Sequence, residues 1–278
     1  MGSMSLPEDK FIEIDGLSLH YLDWGRIGAD PMILLHGLCG NAHYWDFFAH
    51  NMRNDYHVLA PDQRGHGDSG WTESYGPRDY VLDLESFAAS LGLENIVLVG
   101  HSMGGINAII YAAIHPEQVG RLVIVDIGPE ISDAGIERME KERDNEPEAF
   151  ESKEDAISYM RQTEPRQSDA FIEHQAKYAL KRDDGGRLTF KYDKALRNTE
   201  LRSPQWLWEY LNQIVCPTLI VHGVESDMLA AEVAQAMAHS LAFGSVVDIE
   251  HAGHSIPGDN SETFEASVYA FLNSVFEQ

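Results

Sequence analysis

The chain has 278 residues, of which 44% are hydrophobic, so it is long enough for one large domain, or a domain with an insertion, around a sizeable core. Its formal net charge is -25, from 45 acidic and 20 basic residues. Such a negative field repels nucleic acids and anionic membranes, and neither is an expected partner. The two cysteines, Cys39 and Cys216, make no disulfide framework and are expected to be reduced.

Segments that direct a chain to membranes or for export are not expected. No apolar run approaches the roughly 18 residues that a membrane span needs. Residues 1 to 4 look like a cloning remnant, and no basic region followed by an apolar stretch comes after them. A cytoplasmic location is therefore the expectation.

The first third of the chain alternates strands and helices. Two alternating runs joined by Asp15-Gly16 predict an antiparallel hairpin with a tight turn, and residues 31 to 35 predict a buried strand. That strand ends in the glycine-containing loop HGLCG at residues 36 to 40. A second strand at residues 56 to 60 leads into a glycine-rich loop, and residues 80 to 91 carry an apolar stripe with helical spacing.

The central stretch, residues 95 to 113, predicts a strand, a sharp turn and a helix. The run from Ile96 to Val99 is β-branched and short, whereas residues 106 to 113 are apolar and alanine-rich. Ser102 lies at the change, in a G-x-S-x-G pattern whose small residues permit strained backbone angles. The pattern alone is common, and a plain glycine-rich turn with a serine cap is the alternative. The flanking strand and helix favour an exposed nucleophile.

After a strand at residues 121 to 127, the character of the chain changes. Residues 130 to 212 contain acidic stretches and helical stripes and no convincing buried strand, which predicts a helical insertion. Alternation resumes with strands at 217 to 221 and 245 to 249, a helix at 231 to 238 and a closing helix at 262 to 276. This order predicts a mostly parallel sheet covered by helices, with active loops at the carboxyl ends of its strands.

Ser102, Asp227 and His254 each follow such a strand, so nucleophile, acid and base are expected on one rim. In this order and spacing the chain resembles the α/β-hydrolase superfamily, in the subgroup with a helical cap. The resemblance covers nearly the whole chain and rests on five motifs, which are HGL at 36 to 38, DQRGHGDSG at 62 to 70, GHSMGG at 100 to 105, HGVESD at 222 to 227 and AGH at 252 to 254.

The resemblance implies an α/β fold with a mostly parallel, eight-stranded sheet flanked by helices. The core is expected at residues 6 to 128 and 216 to 277, and an inserted helical cap at 129 to 215. It also implies a serine hydrolase in which His254 takes the proton of Ser102 and Asp227 orients the imidazole. The backbone N–H groups of Leu38 and Met103 are expected to form the oxyanion hole.

Asp126, at the end of the strand after Ser102, is a second candidate acid, because in some relatives an acid there reaches the histidine. Neighbouring strands lie about 4.8 Å apart, so distance excludes neither Asp126 nor Asp227. The context favours Asp227, which lies beside the strand that delivers His254, whereas Asp126 could brace the turn where the insertion departs.

The expected substrate is a small, neutral and partly apolar carboxylic ester. The candidate pocket residues are Tyr44, Trp45, Trp206, Trp208 and Ile256, and of the two cap tryptophans only one is expected to line a pocket. Alternatives within the superfamily are a carbon–carbon bond hydrolase of ring-cleavage diketones, disfavoured by His101 where those enzymes usually carry Asn, and a lactonase or amidase. A dehalogenase or an epoxide hydrolase would need a carboxylate at position 102.

Two further alternatives lie outside ester chemistry. A slow-turnover ligand receptor on the same fold would keep Ser102, Asp227 and His254, and the sequence leaves this possibility open. A zinc site built from His36, His251 and His254 has a suitable spacing but no acidic or thiol ligand beside it. No metal and no cofactor is expected, because a hydrolytic serine leaves a metal no role. The sequence does not indicate an oligomeric state.

Overall fold

The computed structural model describes residues 6–199 and 202–275. Its strands are β1 (Glu8–Ile14), β2 (Leu17–Asp23), β3 (Pro31–Leu35), β4 (His57–Pro61), β5 (Ile96–His101), β6 (Val119–Val125), β7 (Leu180–Arg182), β8 (Leu188–Phe190), β9 (Thr218–Gly223) and β10 (Gly244–Ile249). Its helices are α1 (Asp46–Met52), α2 (Pro77–Leu91), α3 (Met103–Ile114), α4 (Asp133–Asn145), α5 (Lys153–Thr163), α6 (Asp169–Tyr178), α7 (Leu207–Leu211), α8 (Ala231–Ser240), α9 (Ile256–Asp259) and α10 (Ser261–Leu272). Short 3-10 helices span Ala42–Trp45 and Lys194–Asn198.

Eight strands form one sheet in the order β1-β2-β4-β3-β5-β6-β9-β10. The pairs β1–β2 and β2–β4 are antiparallel, and the others are parallel. The predicted hairpin is present, and Asp15 and Gly16 both have positive φ, 50° and 85°, as a tight turn between twisted strands requires. The mostly parallel, eight-stranded sheet predicted from the sequence is confirmed.

The sheet buries side chains on both faces. Alternate residues of β3 enter different clusters: Ile33 and Leu35 pack with helices α2, α3 and α8, whereas Met32 and Leu34 pack with α1 and α10. Strands buried on both faces need apolar residues at every position, which explains the continuous apolar runs of β3 and β5 in the sequence. Because β5, β6, β9 and β10 are neighbouring parallel strands, their carboxyl ends lie side by side at one edge of the sheet.

The segment between β6 and β9, residues 129–215, is called the cap segment below. It holds α4 to α7 and a small antiparallel hairpin, β7–β8, which the sequence did not predict. The two strands have three residues each, and Lys181 and Arg182 are exposed, so they carry no buried-strand pattern. Helix α7 packs on α3 through Leu207 and Leu211, which belong to the core beneath the sheet. The division into core and cap remains a prediction.

The closing helix α10 ends at Leu272, and the predicted end at residue 276 lies outside the described residues. Helices of the length and apolar character needed to cross a membrane are not found in residues 6–199 and 202–275.

Candidate active site

Ser102 lies in the sharp turn between β5 and α3. Its backbone has φ 53° and ψ -121°, a strained conformation for a residue with a side chain. The turn is tight enough that only glycine fits beside it: a Cβ on Gly100 would lie 2.3 Å from the Gly104 carbonyl oxygen, and a Cβ on Gly104 would lie 2.4 Å from the carbonyl oxygen of Leu35. The two glycines of G-x-S-x-G are therefore required by close backbone contact.

His254 lies on the loop after β10 and contacts this serine. Its Nε2 is 2.9 Å from Ser102 Oγ, a hydrogen-bond distance at which the hydroxyl donates to the imidazole. The buried His101 holds the loop, because its Nε2–H donates to the His254 carbonyl oxygen at 2.9 Å. Burial lowers the pKa of His101 well below its usual range, which keeps this imidazole neutral. His101 thus acts on His254 as a packed neighbour.

The carboxylate that contacts His254 is Asp126, at the end of β6. Its Oδ2 accepts from His254 Nδ1 at 2.9 Å, and its Oδ1 accepts from the backbone N–H of Gly223 at 3.0 Å. The hydroxyl of Ser226 also donates to Oδ2. Asp126 is fully buried and has a positive φ of 51°. A buried carboxylate with three donors has a fixed orientation, and it fixes the imidazole in turn.

The prediction that Asp227 contacts His254 is corrected by this geometry. The Asp227 carboxylate instead faces α4, where both of its oxygens accept from the guanidinium of Arg138 at 2.6 and 3.0 Å. The physical reason is the strand order: β6 lies next to β5, whereas β9 is one strand further away, and the cap segment supplies a cation at that further position. Partial burial acts to raise the pKa of Asp227, but the hydrogen bonds and charge of the Arg138 guanidinium outweigh it and keep that pKa below its usual value.

The loop predicted to supply one oxyanion donor lies against the serine. A Cβ on Gly37 would be 3.2 Å from Ser102 Cβ, so the backbone leading to Leu38 runs past the nucleophile candidate. Met103 is the first residue of α3, and the first N–H groups of a helix lack intrahelical acceptors. Both positions suit donors to a developing oxyanion, and that role remains a prediction.

Ser102 opens into two cavities of about 300 Å³ each. The first lies towards His254 and is lined by Tyr44, Phe171, charged residues of α4 and Glu164, which directly follows α5. The second lies towards the start of α3 and is mostly apolar; its lining includes Met103, Ile106, Ile127, Ile131, Ile136 and Trp206. A substrate bond placed next to Ser102 would therefore have room for one substituent in each cavity.

The chain is similar to known proteins over most of its length. A family model described as the alpha/beta hydrolase fold matches residues 30–261. The chain belongs to this family. A 3-hydroxybutyrate-oligomer hydrolase of Cupriavidus necator is 27% identical over 90% of this chain and 92% of its own length. An esterase of Mycobacterium tuberculosis is 28% identical over 97% of this chain and 90% of its own length.

The structural comparison agrees with the family. The crystal structure of an E-2-(acetamidomethylene)succinate hydrolase superimposes with a TM-score of 0.87, covering 96% of this chain and 100% of that one at 22% identity. At that identity the likeness concerns the fold. The predicted membership of the α/β-hydrolase family is confirmed, and esterases are among the relatives.

Of the predicted pocket residues, two line a cavity of this α/β-hydrolase and three do not. Tyr44 lines the first cavity and stacks on His101, and Trp206 lines the second. Trp45 and Ile256 are fully buried and pack with the helices α1 and α10. Trp208 packs against the core beneath α3, and its Nε1–H donates to Glu130 Oε1 at 3.2 Å. That Trp206 and not Trp208 lines a cavity agrees with the expectation that only one of the two cap tryptophans would do so. The corrections for Trp45 and Ile256 share a cause: sequence spacing does not show which side of a large aromatic or aliphatic residue meets the core.

The first cavity contains a carboxyl group that the sequence analysis missed. Glu164, at the end of α5, lines the cavity together with His254 and Ser255. Burial, and then the neighbouring charge of Asp259, raise the pKa of Glu164 to about 7. In the sequence it is a single acidic residue between Arg161 and Arg166, and only the packing of the cap segment distinguishes it from solvated carboxyls.

The zinc alternative weighed from the sequence does not match the structure. His251 is exposed and lies 3.8 Å from a Glu225 oxygen. Both ring nitrogens of His36 are engaged, with the Gly37 carbonyl at 2.8 Å and with the Gln63 N–H at 3.0 Å. Asp62, in the loop at residues 62 to 70, has a structural role. Its Oδ2 lies 2.7 Å from His20 Nδ1, and its Oδ1 accepts from the Ala42 N–H at 2.6 Å.

Proposed function

We propose that this α/β-hydrolase is a serine esterase that cleaves a small, neutral and partly apolar carboxylic ester through an acyl-enzyme intermediate. The observation that carries the proposal is the continuous hydrogen-bonded chain from Ser102 Oγ through His254 to Asp126, placed at the junction of two cavities. The esterase relatives support the same class of reaction.

The residues act in a defined order. Ser102 Oγ attacks the ester carbonyl carbon while His254 Nε2 accepts the hydroxyl proton, and Asp126 stabilises the resulting imidazolium. The carbonyl oxygen becomes an oxyanion that accepts from the Leu38 and Met103 N–H groups. The C–O bond of the alcohol then breaks, the alkoxide takes the proton from His254, and an acyl-Ser102 remains. Water, deprotonated by His254, hydrolyses this acyl group and restores the serine.

The charges in the first cavity support a neutral substrate. Arg138 is bound by Asp227 and by Glu142, and Arg197 is bound by Glu146. Because these two arginines already have carboxylate partners, an anionic substrate would have to displace those carboxylates. It would also have to approach against the negative field of the whole chain. The small volumes and the apolar lining of the second cavity favour short or medium aliphatic groups.

The direct test measures initial rates on p-nitrophenyl esters from acetate to decanoate, on one anionic ester with its neutral methyl counterpart, and on a ring-cleavage diketone. Wild type should turn over neutral esters continuously, and Ser102→Ala should lose about 10⁶-fold in kcat, the size seen when a serine hydrolase loses its nucleophile. A fluorophosphonate should label wild type and leave Ser102→Ala unlabelled. A burst without steady turnover would indicate the slow receptor, and faster cleavage of the diketone would indicate the carbon–carbon hydrolase.

A second variant tests the assignment of the apolar cavity. Ile131→Trp would fill the second cavity. Each methylene of the acyl chain that is excluded from this cavity should lower kcat/KM about four-fold, the equivalent of about 0.8 kcal/mol. Rates on acetate should stay near wild type while those on octanoate fall. Ile114→Phe, at an exposed position at the end of α3, is the matched control and should leave the chain-length profile unchanged. An unchanged profile in Ile131→Trp would show that the acyl group lies elsewhere.

A further inference from the structure

A second cluster of titratable side chains lies where the cap segment meets the core, away from Ser102. His43 precedes α1, Asp46 begins α1, and His174 lies on α6. His43 Nδ1 and His174 Nε2 both lie 2.8 Å from the same oxygen, Asp46 Oδ2. One ligand atom from each of the three residues lies within 4.8 Å of the others. Two imidazoles from distant parts of the chain thus converge on one carboxylate.

The carboxylate of this cluster is incompletely satisfied. Asp46 is 1% exposed, and its second oxygen, Oδ1, has no hydrogen-bond partner within residues 6–199 and 202–275. A buried carboxylate oxygen without a donor is costly, and such an atom in a native structure calls for an explanation. A cation bound to this carboxylate would offset that cost through its charge, whichever oxygen ligates it.

A second cluster of candidate metal ligands differs from this one in its hydrogen bonding. His20, Asp62 and Asp68 also bring three candidate ligand atoms together. There, however, both oxygens of Asp62 have donors, since Oδ1 accepts from the Ala42 N–H and Oδ2 from the Asp68 N–H. Asp68 itself pairs with Lys191 at 2.7 Å. That cluster is complete as a brace, whereas the one at Asp46 is not.

We propose that His43, Asp46 and His174 form a divalent metal site, best suited to Zn²⁺, that joins helix α6 of the cap segment to the core. Two imidazole nitrogens and a carboxylate oxygen are a ligand set that zinc accepts, with a fourth position left for water. The side chains of His43 and His174 keep 12% and 13% of their surface exposed, which leaves a path for the ion.

Metal binding would adjust all three distances between ligand atoms, including that between the two imidazole nitrogens, which lie within 4.8 Å of each other. Ligand atoms about 2.0–2.1 Å from a tetrahedral zinc lie roughly 3.3 Å from one another. The two contacts of 2.8 Å would therefore open by about half an ångström, which small rotations of the imidazoles supply. The histidines bind the ion as neutral imidazoles, so the proton that each now presents to Asp46 moves to its other ring nitrogen.

Aromatic rings surround the cluster and limit those rotations. His43 stacks on Tyr178 with ring centroids 3.6 Å apart, and His174 lies 5.0 Å from the ring of Phe47. The two segments that carry these histidines also reach the first cavity, because Tyr44 follows His43 in the 3-10 helix and Phe171, on α6, lies one turn before His174. A metal here would fix the position of α6 relative to Tyr44, without touching substrate.

The test is direct titration of the whole, chelator-treated protein with Zn²⁺ and with Co²⁺. Wild type should bind about one Zn²⁺ per chain in the micromolar range or tighter, should gain thermal stability on binding, and should give the visible absorption of tetrahedral Co²⁺. His174→Gln should weaken binding at least ten-fold and remove the Co²⁺ spectrum while leaving the chain folded. Asp46→Asn should do the same if it folds.

His251→Gln is the matched control, because His251 is 88% exposed and lies in the other cluster of histidines that the sequence suggested. It should bind Zn²⁺ as wild type does. Absence of saturable binding in wild type would overturn the proposal and leave the cluster a hydrogen-bonded brace. Binding that persists unchanged in His174→Gln would also overturn it, since the ion would then be held elsewhere. Neither result would affect the esterase proposal, whose residues are separate.

Discussion

The carboxyl-terminal edge of the sheet and the cap segment differ in the contacts that hold their residues. At the sheet edge, Ser102 and Asp126 have positive φ and are buried, and backbone contacts fix the residues around them. In the cap segment, α4 and α5 each bury one small residue, Gly135 and Ala156, and their polar faces are held by ion pairs. In the proposed esterase, the reacting groups would therefore lie where backbone contacts leave little freedom, and the groups that select the substrate where many side chains can change.

The largest expected effect distinguishes the two acids. Asp126→Asn should lower kcat by about 10⁴, equivalent to about 5.5 kcal/mol of barrier, because an amide holds the imidazole in the wrong tautomer. Asp227→Asn should lower kcat by no more than about ten-fold, since its partner is Arg138 of the cap segment.

Both variants are measured on a neutral ester, with circular dichroism and thermal unfolding as controls for folding. A folded Asp227→Asn that loses as much as Asp126→Asn would mean that the cap segment carries part of the chemistry. The contrast between the two regions would then fail.

The next effect concerns stability. Gly104→Ala would place a Cβ 2.4 Å from the Leu35 carbonyl oxygen and 2.6 Å from that of His36, and backbone cannot move away cheaply. We expect a loss of about 3 kcal/mol in the free energy of unfolding. In the cap segment, a Cβ on Gly185 would meet only side-chain atoms, those of Asp183 at 3.2 Å and Arg187 at 3.9 Å, so Gly185→Ala should change stability by less than about 0.5 kcal/mol.

Denaturant unfolding of the two alanine variants checks this pair. If Gly104→Ala were as stable as Gly185→Ala, the turn at Ser102 would be more adaptable than its contacts indicate, and the rigidity ascribed to the sheet edge would be wrong.

The same contrast explains what the sequence could predict. Strand runs, turn glycines and the positions of Ser102 and His254 depend on local patterns, so they could be read along the chain. The sequence could not show that Asp126, rather than Asp227, contacts His254. Asp227 pairs with Arg138, which lies 89 residues earlier in the chain, and this pairing is recognisable only when α4 is folded over the sheet. The hairpin β7–β8 and the buried face of Trp45 were missed for a similar reason: short exposed strands and large side chains carry no periodic signal.

The smallest expected effect is a pH dependence inside the cap segment. The pKa of Glu164 is raised to about 7 in the folded chain, chiefly by burial, and returns towards about 4.5 on unfolding. Between pH 4.5 and 7 the folded state therefore binds more protons than the unfolded state, so this group's contribution to stability falls as the pH rises through that window. Glu164→Gln removes the titration. The Tm of the variant minus that of wild type should therefore increase from pH 5 to pH 8, and most of the increase should come before about pH 7.

Glu173→Gln, an exposed carboxyl on α6, is the matched control and should shift Tm by a similar amount at every pH. A flat difference for Glu164→Gln as well would mean that water reaches Glu164 in the folded chain. The cap segment would then be open over the first cavity, and the negative field at Ser102 at neutral pH would be stronger than a carboxyl with a pKa of about 7 implies. In that case the carboxyl-terminal edge of the sheet would be the closed part of the site and the cap segment its open side.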